Sequence, residues 1–353
     1  MLVIVGKSDL PEAYLIAGLA AQGVDVRILA DPSSPFIEMW EGAGVQIGTL
    51  KIESRLDRAV RESVKRELTS FDPDIVHAFT NHGLAVALPG VKQHRAKLVA
   101  YRGTTGHLRI WDYGARSTYL NKRVDAISCV ADAVRSYLLK FGAPPEKLVT
   151  IPKGHDPIWY ESTAPVSREE LGLASDAVVI GCVANMRKVK GVPVLLEAVA
   201  SLPDFPRVQV ALVGEVRDRA TRSIARRSGL ENRVVFTGYQ TNAYRLVRTF
   251  DIFVMPSLDR EGLPKAVVEA MIQGVPPIVS DAGGLPEIVE NGVSGLVVPA
   301  GRIRPLRVAL ERLIADVELR QKLAAGARER IESKFSVKNT VERTRQLYTR
   351  LLA

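Results

Sequence analysis

The sequence has 353 residues, 46% hydrophobic and 25% charged, and this ordinary balance excludes a disordered or collagen-like chain. No stretch of 18 uninterrupted apolar residues occurs, which excludes a membrane-spanning helix, and two cysteines are too few for a disulfide framework or a zinc site. The net charge of +9 lies almost wholly in residues 171–353 and suits an anionic ligand, a membrane surface or a nucleic acid.

Short runs rich in Val, Ile and Leu alternate with segments of helical periodicity along the first half of the chain. The runs predict buried parallel strands at 2–6, 24–30, 75–79, 98–101, 126–130 and 148–151. Helices are predicted between some of them, at 11–22, 55–70 and 131–141. This alternation is typical of a doubly wound α/β domain, which we place at residues 1–155.

A polar segment rich in Pro, Gly and Ser follows, and it predicts a linker at 156–176. A second series of strands is predicted at 178–183, 208–213, 234–236, 252–255, 277–280 and 295–298, which places a second α/β domain at 177–335. The last segment, 336–353, has the spacing of an amphipathic helix. Two such domains usually bind a ligand in the cleft between them, at the carboxyl ends of the strands.

The densest group of chemistry-bearing residues lies where the predicted strand 252–255 gives way to a helix. Glu261 precedes this helix, Glu269 lies eight residues later, and Gly262 allows a ligand to come close to the backbone. Pro264 suits the first helical position, and the free N–H groups at a helix start can bind phosphate or sugar hydroxyls. Two carboxylates alone are more often solvated acids, but Glu, Gly and Pro at one strand-to-helix corner are more specific.

Two further corners leave predicted strands. The first carries Arg187, Lys188 and Lys190, which suit a diphosphate but equally suit a solvated basic turn. The second carries Gly283 and Gly284, which let the main chain approach a ligand, although paired glycines alone are more often a turn. Because all three corners lie at strand carboxyl ends, we expect them to converge on one wall of the cleft.

Residues 178–299 resemble the C-terminal domain of the retaining glycosyltransferases of family 4. The matching motifs are Glu-x7-Glu (Glu261, Glu269), Lys190-Gly191, Val213-Gly214-Glu215, Phe236-Thr237-Gly238-Tyr239, Gly283-Gly284-x-Pro286-Glu287 and Asn291-Gly292-x-x-Gly295. The segment 151–156 and the last helix resemble the hinge and the final helix of the same family. The resemblance implies the GT-B fold, an α/β architecture in which two Rossmann-like, doubly wound domains face a central cleft and the C-terminal helix crosses back to the N-terminal domain.

The resemblance also implies a nucleotide-sugar donor, bound mainly by the second domain. Glu261 would hold hydroxyls of the donor sugar, and Lys190 with Arg187 would neutralise the diphosphate, so these three are the expected catalytic residues. Donor-binding residues would be Asn185, Gly238, Tyr239, Gly262, Leu263, Pro264, Lys265, Glu269 (to the ribose) and Gly6, although Gly6 equally suits a simple turn. The arginine that the family usually has four or five residues before the lysine is Asn185 here, and Arg187 is the candidate to replace it. The reaction would retain the anomeric configuration and would need neither a metal nor another cofactor.

The acceptor is expected in the N-terminal domain, where the resemblance is thin. The family often has a histidine where this chain has Gly103, and Arg102 or His107 are the candidates to replace it. Arg109 and Trp111 add a cation and an aromatic ring for phosphates or sugars, although a loop with buried aromatics explains them equally well. His77 and His82 follow another strand end, where a lone histidine is more often structural.

We therefore predict a glycosyltransferase of bacterial surface-glycan synthesis, such as lipopolysaccharide or capsule, that takes a nucleotide sugar and a glycan or glycolipid acceptor. It is expected in the cytoplasm or peripherally on the cytoplasmic face of the inner membrane. The basic run at 217–227 predicts weak, salt-sensitive contact with anionic lipid, against a default of a solvated face. The alternatives are a nucleotide-sugar epimerase of the same fold and a non-catalytic nucleotide-sugar-binding module. A nucleic-acid binder ranks last, because no recognised binding motif accompanies the charge.

Overall fold

The structure is a computed structural model, and it describes residues 1–54, 57–106, 113–161, 166–203 and 207–353. The chain divides into two compact units. Unit 1 comprises Met1–Gly154 with Phe335–Ala353, and unit 2 comprises His155–Lys334.

Unit 1 is a doubly wound α/β unit. Its strands are β1 (Leu2–Ile4), β2 (Arg27–Ala30), β3 (Gln46–Thr49), β4 (Ile75–Ala78), β5 (Lys97–Arg102), β6 (Ala126–Cys129) and β7 (Leu148–Thr150). Its helices are α1 (Leu10–Ala21), α2 (Ile37–Gly42), α3 (Arg58–Phe71), α4 (Asn81–Val91), α5 (Tyr113–Ser117), α6 (Asp132–Lys140) and, at the end of the chain, α15 (Val337–Leu352). The strands pair in parallel in the order β3-β2-β1-β4-β5-β6-β7, so the order reverses between β1 and β4.

Four elements of unit 1 escape the sequence prediction: α2, β3, α4 and α5. Strand β3 lies at the sheet edge with partly exposed side chains, so it lacks the continuous apolar run by which buried strands are recognised. Helix α4 contains Pro89 and two glycines, which normally argue against a helix interior. Burial of its apolar residues against neighbouring elements outweighs these local preferences.

The C-terminal helix α15 completes unit 1, as predicted. It packs against α1, where a Cβ added at Gly18 would lie only 2.7 Å from Cγ2 of Val341. Ser336 caps the start of the helix, and the Thr340 hydroxyl donates a 2.8 Å hydrogen bond to the carbonyl oxygen of Pro152. The final segment of the chain is therefore tied to the end of the first unit's sheet.

Unit 2 repeats the doubly wound plan. Its strands are β8 (Val178–Val183), β9 (Val208–Val213), β10 (Val234–Gly238), β11 (Ile252–Met255), β12 (Pro277–Ser280) and β13 (Leu296–Val298). Its helices are α7 (Ile158–Glu161), α8 (Val192–Ala200), α9 (Arg219–Arg227), α10 (Tyr244–Val247), α11 (Lys265–Ile272), α12 (Leu285–Ile288), α13 (Ile303–Ala315) and α14 (Val317–Lys334). The strands are parallel in the order β10-β9-β8-β11-β12-β13, and each lies at or within two residues of its predicted bounds.

The strand order of unit 2 reverses between β8 and β11, which are hydrogen-bonded neighbours. Helices that follow strands on the two sides of such a reversal leave in opposite directions, and a crevice opens between them at the carboxyl end of the sheet. This crevice is where ligands bind in doubly wound sheets. The loops after β8 and β11 carry the basic corner and the glutamate corner that the sequence singles out.

Candidate functional site

Glu261 lies at the reversal point of unit 2, in the loop between β11 and α11, and only 5% of its surface is exposed. Its Oε1 accepts hydrogen bonds from Nζ of Lys190 at 2.6 Å and from the hydroxyl of Ser257 at 2.5 Å. Ser257 is held in turn, because its carbonyl oxygen accepts a 2.5 Å hydrogen bond from the hydroxyl of Ser280. Within the described residues Oε2 of Glu261 accepts no hydrogen bond, so this oxygen remains available to a hydroxyl donor.

Glu269 is the second buried carboxylate, one turn into α11, and it is also 5% exposed. Its Oε1 lies 3.2 Å from Nζ of Lys265, the residue four positions earlier on the same face of the helix. Burial raises the pKa of Glu269, and the nearby Lys265 ammonium opposes this shift. The two glutamates of the Glu-x7-Glu motif thus each hold one lysine.

The start of α11 presents backbone donors beside these carboxylates. Pro264 was predicted as the first helical residue, but it is the N-cap of α11. Its extended ψ of 118° leaves it outside the first turn. Among the residues that the structure describes, no acceptor is hydrogen-bonded to the N–H groups of Gly262, Leu263, Lys265 or Ala266. Free N–H groups and the positive end of the helix dipole together favour an anion at this position.

Two glycines allow the three corners to meet. A Cβ at Gly283 would lie 2.2 Å from the carbonyl oxygen of Glu261, and the N–H of Gly284 donates to that same oxygen at 3.2 Å. A Cβ at Gly191 would lie 2.0 Å from the carbonyl oxygen of Pro256. Since both glycines have a positive φ, each position excludes a side chain for two independent reasons. The predicted convergence of the three corners is confirmed.

The other predicted donor residues lie on separate loops of the two units. Asn185 and Arg187 are exposed on the loop after β8, and the described ion pairs do not include Arg187. Gly238 and Tyr239 lie at the end of β10, two strands away from β8 across β9. The carbonyl oxygen of Gly238 accepts a 2.8 Å hydrogen bond from the N–H of Gly214, and Tyr239 is 69% exposed. Gly6 follows β1 in unit 1, and no heavy atom beyond its chain neighbours lies within 4 Å of the position that a Cβ would take there.

Of the acceptor residues predicted in unit 1, the structure describes only Arg102. Arg102 is buried, and its guanidinium donates to the carbonyl oxygens of Thr104 at 3.0 Å and Gly106 at 2.5 Å. It also lies over the ring of Tyr119 at 5.1 Å, so this side chain holds its own loop rather than facing a ligand. His107, Arg109 and Trp111 lie outside the described residues.

His77 is likewise a core residue, because it belongs to β4 and is 1% exposed. Its Nδ1 lies 2.7 Å from the hydroxyl of Tyr348 on α15, and its ring stacks on Phe79. Desolvation lowers the pKa of His77 to about 3, so the ring is neutral at physiological pH. This histidine joins the C-terminal helix to the sheet.

A cavity in unit 1 with both polar and apolar lining residues was not predicted from the sequence. It has a volume of about 820 Å³, within the usual range of ligand pockets. Helix α4 contributes His82 and Pro89, Lys92 follows directly after this helix, and the segment after α5 contributes Asn121. These residues are dispersed over 40 positions of the sequence with no motif, so only the packing of α3, α4 and α5 reveals them.

The described residues offer neither a cluster of metal ligands nor a membrane-spanning helix. Asp72 is the C-cap of α3, and its carboxylate pairs with Arg95 at 2.9 Å. In the described ranges no group of three or more His, Cys, Asp or Glu side chains could hold a metal ion. The same ranges contain no helix that is both long and apolar enough to cross a membrane.

Comparisons with known proteins agree with these features. A family model described as "Glycosyl transferases group 1" matches residues 164–330, and one described as "Glycosyltransferase Family 4" matches residues 13–158. The lipopolysaccharide core biosynthesis glycosyltransferase LpsE of Rhizobium meliloti is 26% identical, over 92% of this chain and 90% of its own length. The phosphatidyl-myo-inositol mannosyltransferase of Mycobacterium leprae is 27% identical, over 88% of this chain and 84% of its own length.

The fold has a solved counterpart. The crystal structure of Anabaena Alr3699/HepE in complex with UDP is similar with a TM-score of 0.80 and 22% sequence identity, and the match covers 99% of each chain. The predicted GT-B class of fold is therefore confirmed.

Proposed function

Since this chain belongs to family 4 of the glycosyltransferases, we propose that it moves a sugar from a nucleotide-sugar donor to a glycan or lipid-linked acceptor of a bacterial cell-surface polysaccharide. The observation that carries this proposal is the arrangement around Glu261. A buried carboxylate pairs with a lysine and precedes the start of α11. One oxygen of the carboxylate and several N–H groups there have no hydrogen-bond partner among the described residues. This combination fits a ligand that offers hydroxyls and phosphates together. The relatives named for lipopolysaccharide core synthesis and the UDP complex of HepE support this interpretation.

The chemistry we propose depends on positioning and charge. Oε2 of Glu261 accepts a hydroxyl of the donor sugar, and the N–H groups at the start of α11 with Lys190 stabilise the charge that grows on the departing diphosphate. Arg187, exposed on the same corner, adds a second cation. Lysine and backbone dipoles supply the stabilisation that a metal ion gives elsewhere, so we propose metal-independent transfer, with retention at the anomeric carbon as in the family.

Glu261→Gln tests the proposal. The glutamine keeps the size of the side chain but weakens both the lysine pair and the hydroxyl contact. We expect transfer to fall about 100-fold or more, the scale of losing one preorganised contact. The control is Glu318→Gln, an exposed acid on α14. Equal activity of the two variants would refute the role of Glu261.

The reaction type needs a separate measurement. Donor consumption is followed with and without a membrane extract that supplies acceptors. A glycosyltransferase consumes donor only with the extract and labels a glycan. An epimerase converts the donor without it, and a binding module consumes nothing in either case.

We propose that the cavity of unit 1 contacts the acceptor, in place of Arg102. Lys92 and His82 are exposed in its walls, while Glu53, the acid of the wall, already pairs with Lys51 at 2.7 Å. The remaining charge favours an acidic or phosphorylated saccharide. Lys92→Glu should raise the apparent KM for the acceptor extract and leave the KM for the donor unchanged. An unchanged acceptor KM would remove the cavity from the proposal.

A further inference from the structure

The side chain of Lys265 takes no part in the proposed chemistry, which uses only the backbone N–H of this residue. Lys265 is the first residue of α11, and its side chain is 49% exposed. It begins the turn of α11 whose first N–H groups donate to no acceptor among the described residues, and its ammonium lies 3.2 Å from Oε1 of Glu269. Its partner Glu269 lies one turn deeper and has a side chain only 7% exposed.

The pair resembles the neighbouring pair of Lys190 and Glu261. In both, a nearly buried carboxylate is held by one more accessible lysine. Removing the lysine from such a carboxylate is costly unless other donors replace it. A lysine can therefore leave its glutamate when ligand hydroxyls take its place, and its flexible stem lets it reach a new anion nearby.

We propose that Lys265 is a second cation for the diphosphate of the donor, released from Glu269 when the ribose hydroxyls of the nucleotide bind that carboxylate. The inference rests on the proposed function and deepens it. This exchange makes the site selective for nucleoside diphosphates. The Lys265 ammonium can bind the phosphates only when the ribose hydroxyls occupy Glu269. Binding of the ribose and binding of the phosphates are then coupled through one ion pair.

The experiment compares ligands that differ only in phosphate number. A panel of nucleoside diphosphates first identifies the base that the wild-type chain binds best. Calorimetric titration of the full chain then measures that nucleoside, its monophosphate and its diphosphate. Lys265→Met should weaken the diphosphate at least tenfold, about 1.4 kcal/mol at 25 °C. It should leave the affinity of the nucleoside unchanged or higher, because the ribose no longer competes with Lys265 for Glu269. Lys265→Arg should retain most of the diphosphate affinity.

Lys322→Met is the matched control, because Lys322 is an exposed lysine on α14. It should leave all three affinities unchanged. Thermal unfolding of each variant establishes that unit 2 is folded at the temperature of titration.

Two results overturn the inference alone. One is an unchanged diphosphate affinity in Lys265→Met. The other is an equal loss for the nucleoside and the diphosphate, which would mean that Lys265 only holds Glu269 in place. A wild-type chain that binds none of the nucleotides would instead refute the proposed function, and the inference with it.

Discussion

Gly283→Ala provides the sharpest test of the site geometry. The added Cβ would lie 2.2 Å from the carbonyl oxygen of Glu261 and 3.0 Å from its carbonyl carbon and nitrogen. These are backbone atoms, which cannot rotate away as a side-chain tip can. The residue also has a φ of +57°, where an L-residue is strained by about 1–2 kcal/mol. Overpacking adds about 1–3 kcal/mol, so the expected loss of stability is roughly 2–5 kcal/mol.

The matched control separates these two causes. Gly229, after α9, has a φ of +67°, and no atom lies within 4 Å of the position that a Cβ would take there. Gly229→Ala should therefore show the backbone strain without the clash. In a domain of about this size each kcal/mol lowers the melting temperature by about 2–4 °C. We expect Gly283→Ala to melt roughly 2–12 °C below Gly229→Ala.

The same substitution should affect binding. Displacing the backbone of Glu261 moves its carboxylate away from Lys190 and from the start of α11. Nucleotide-diphosphate affinity, measured by calorimetry below both melting temperatures, should fall at least tenfold in Gly283→Ala and remain unchanged in Gly229→Ala. Equal melting temperatures and equal affinities for the two variants would refute the contact between the glycine corner and Glu261.

Two further predictions concern charge. Burial raises the pKa of Glu269 above its unfolded value near 4.5. The native state therefore loses stability as the pH rises from the unfolded pKa through the folded pKa of this carboxyl. Glu269→Gln should therefore melt above the wild type at pH 7, with the difference vanishing near pH 4, and a pH-independent difference would contradict this. On α9, Arg226 and Arg227 are exposed and the Arg222 guanidinium lies 4.6 Å over the ring of Phe236. Reversing all three charges with glutamate should abolish salt-sensitive sedimentation with anionic vesicles, whereas unchanged sedimentation would exclude this face.

Local sequence patterns determined the repeated strand–helix plan and the positions of the three corners of unit 2. Buried parallel strands are typically continuous runs of Val, Ile and Leu, so their positions can be predicted from the sequence. Glycine and proline at the corners are equally predictable, because few other residues tolerate those backbone conformations. Strand β3 and helix α4 escaped because their stability comes from neighbours rather than from their own composition.

Only the tertiary structure decided how the corners are joined. Lys190 and Glu261 are 71 residues apart, and their pairing depends on β8 and β11 being neighbours in the sheet. Sequence order alone would have placed β11 beside β10. Packing likewise decided the roles of Arg102 and His77. Polar residues near strand ends can contact a ligand or form hydrogen bonds within the protein, and the sequence does not distinguish the two. Residue type sets what a side chain can do chemically, but the partners that the folded chain brings within hydrogen-bonding distance set what it does.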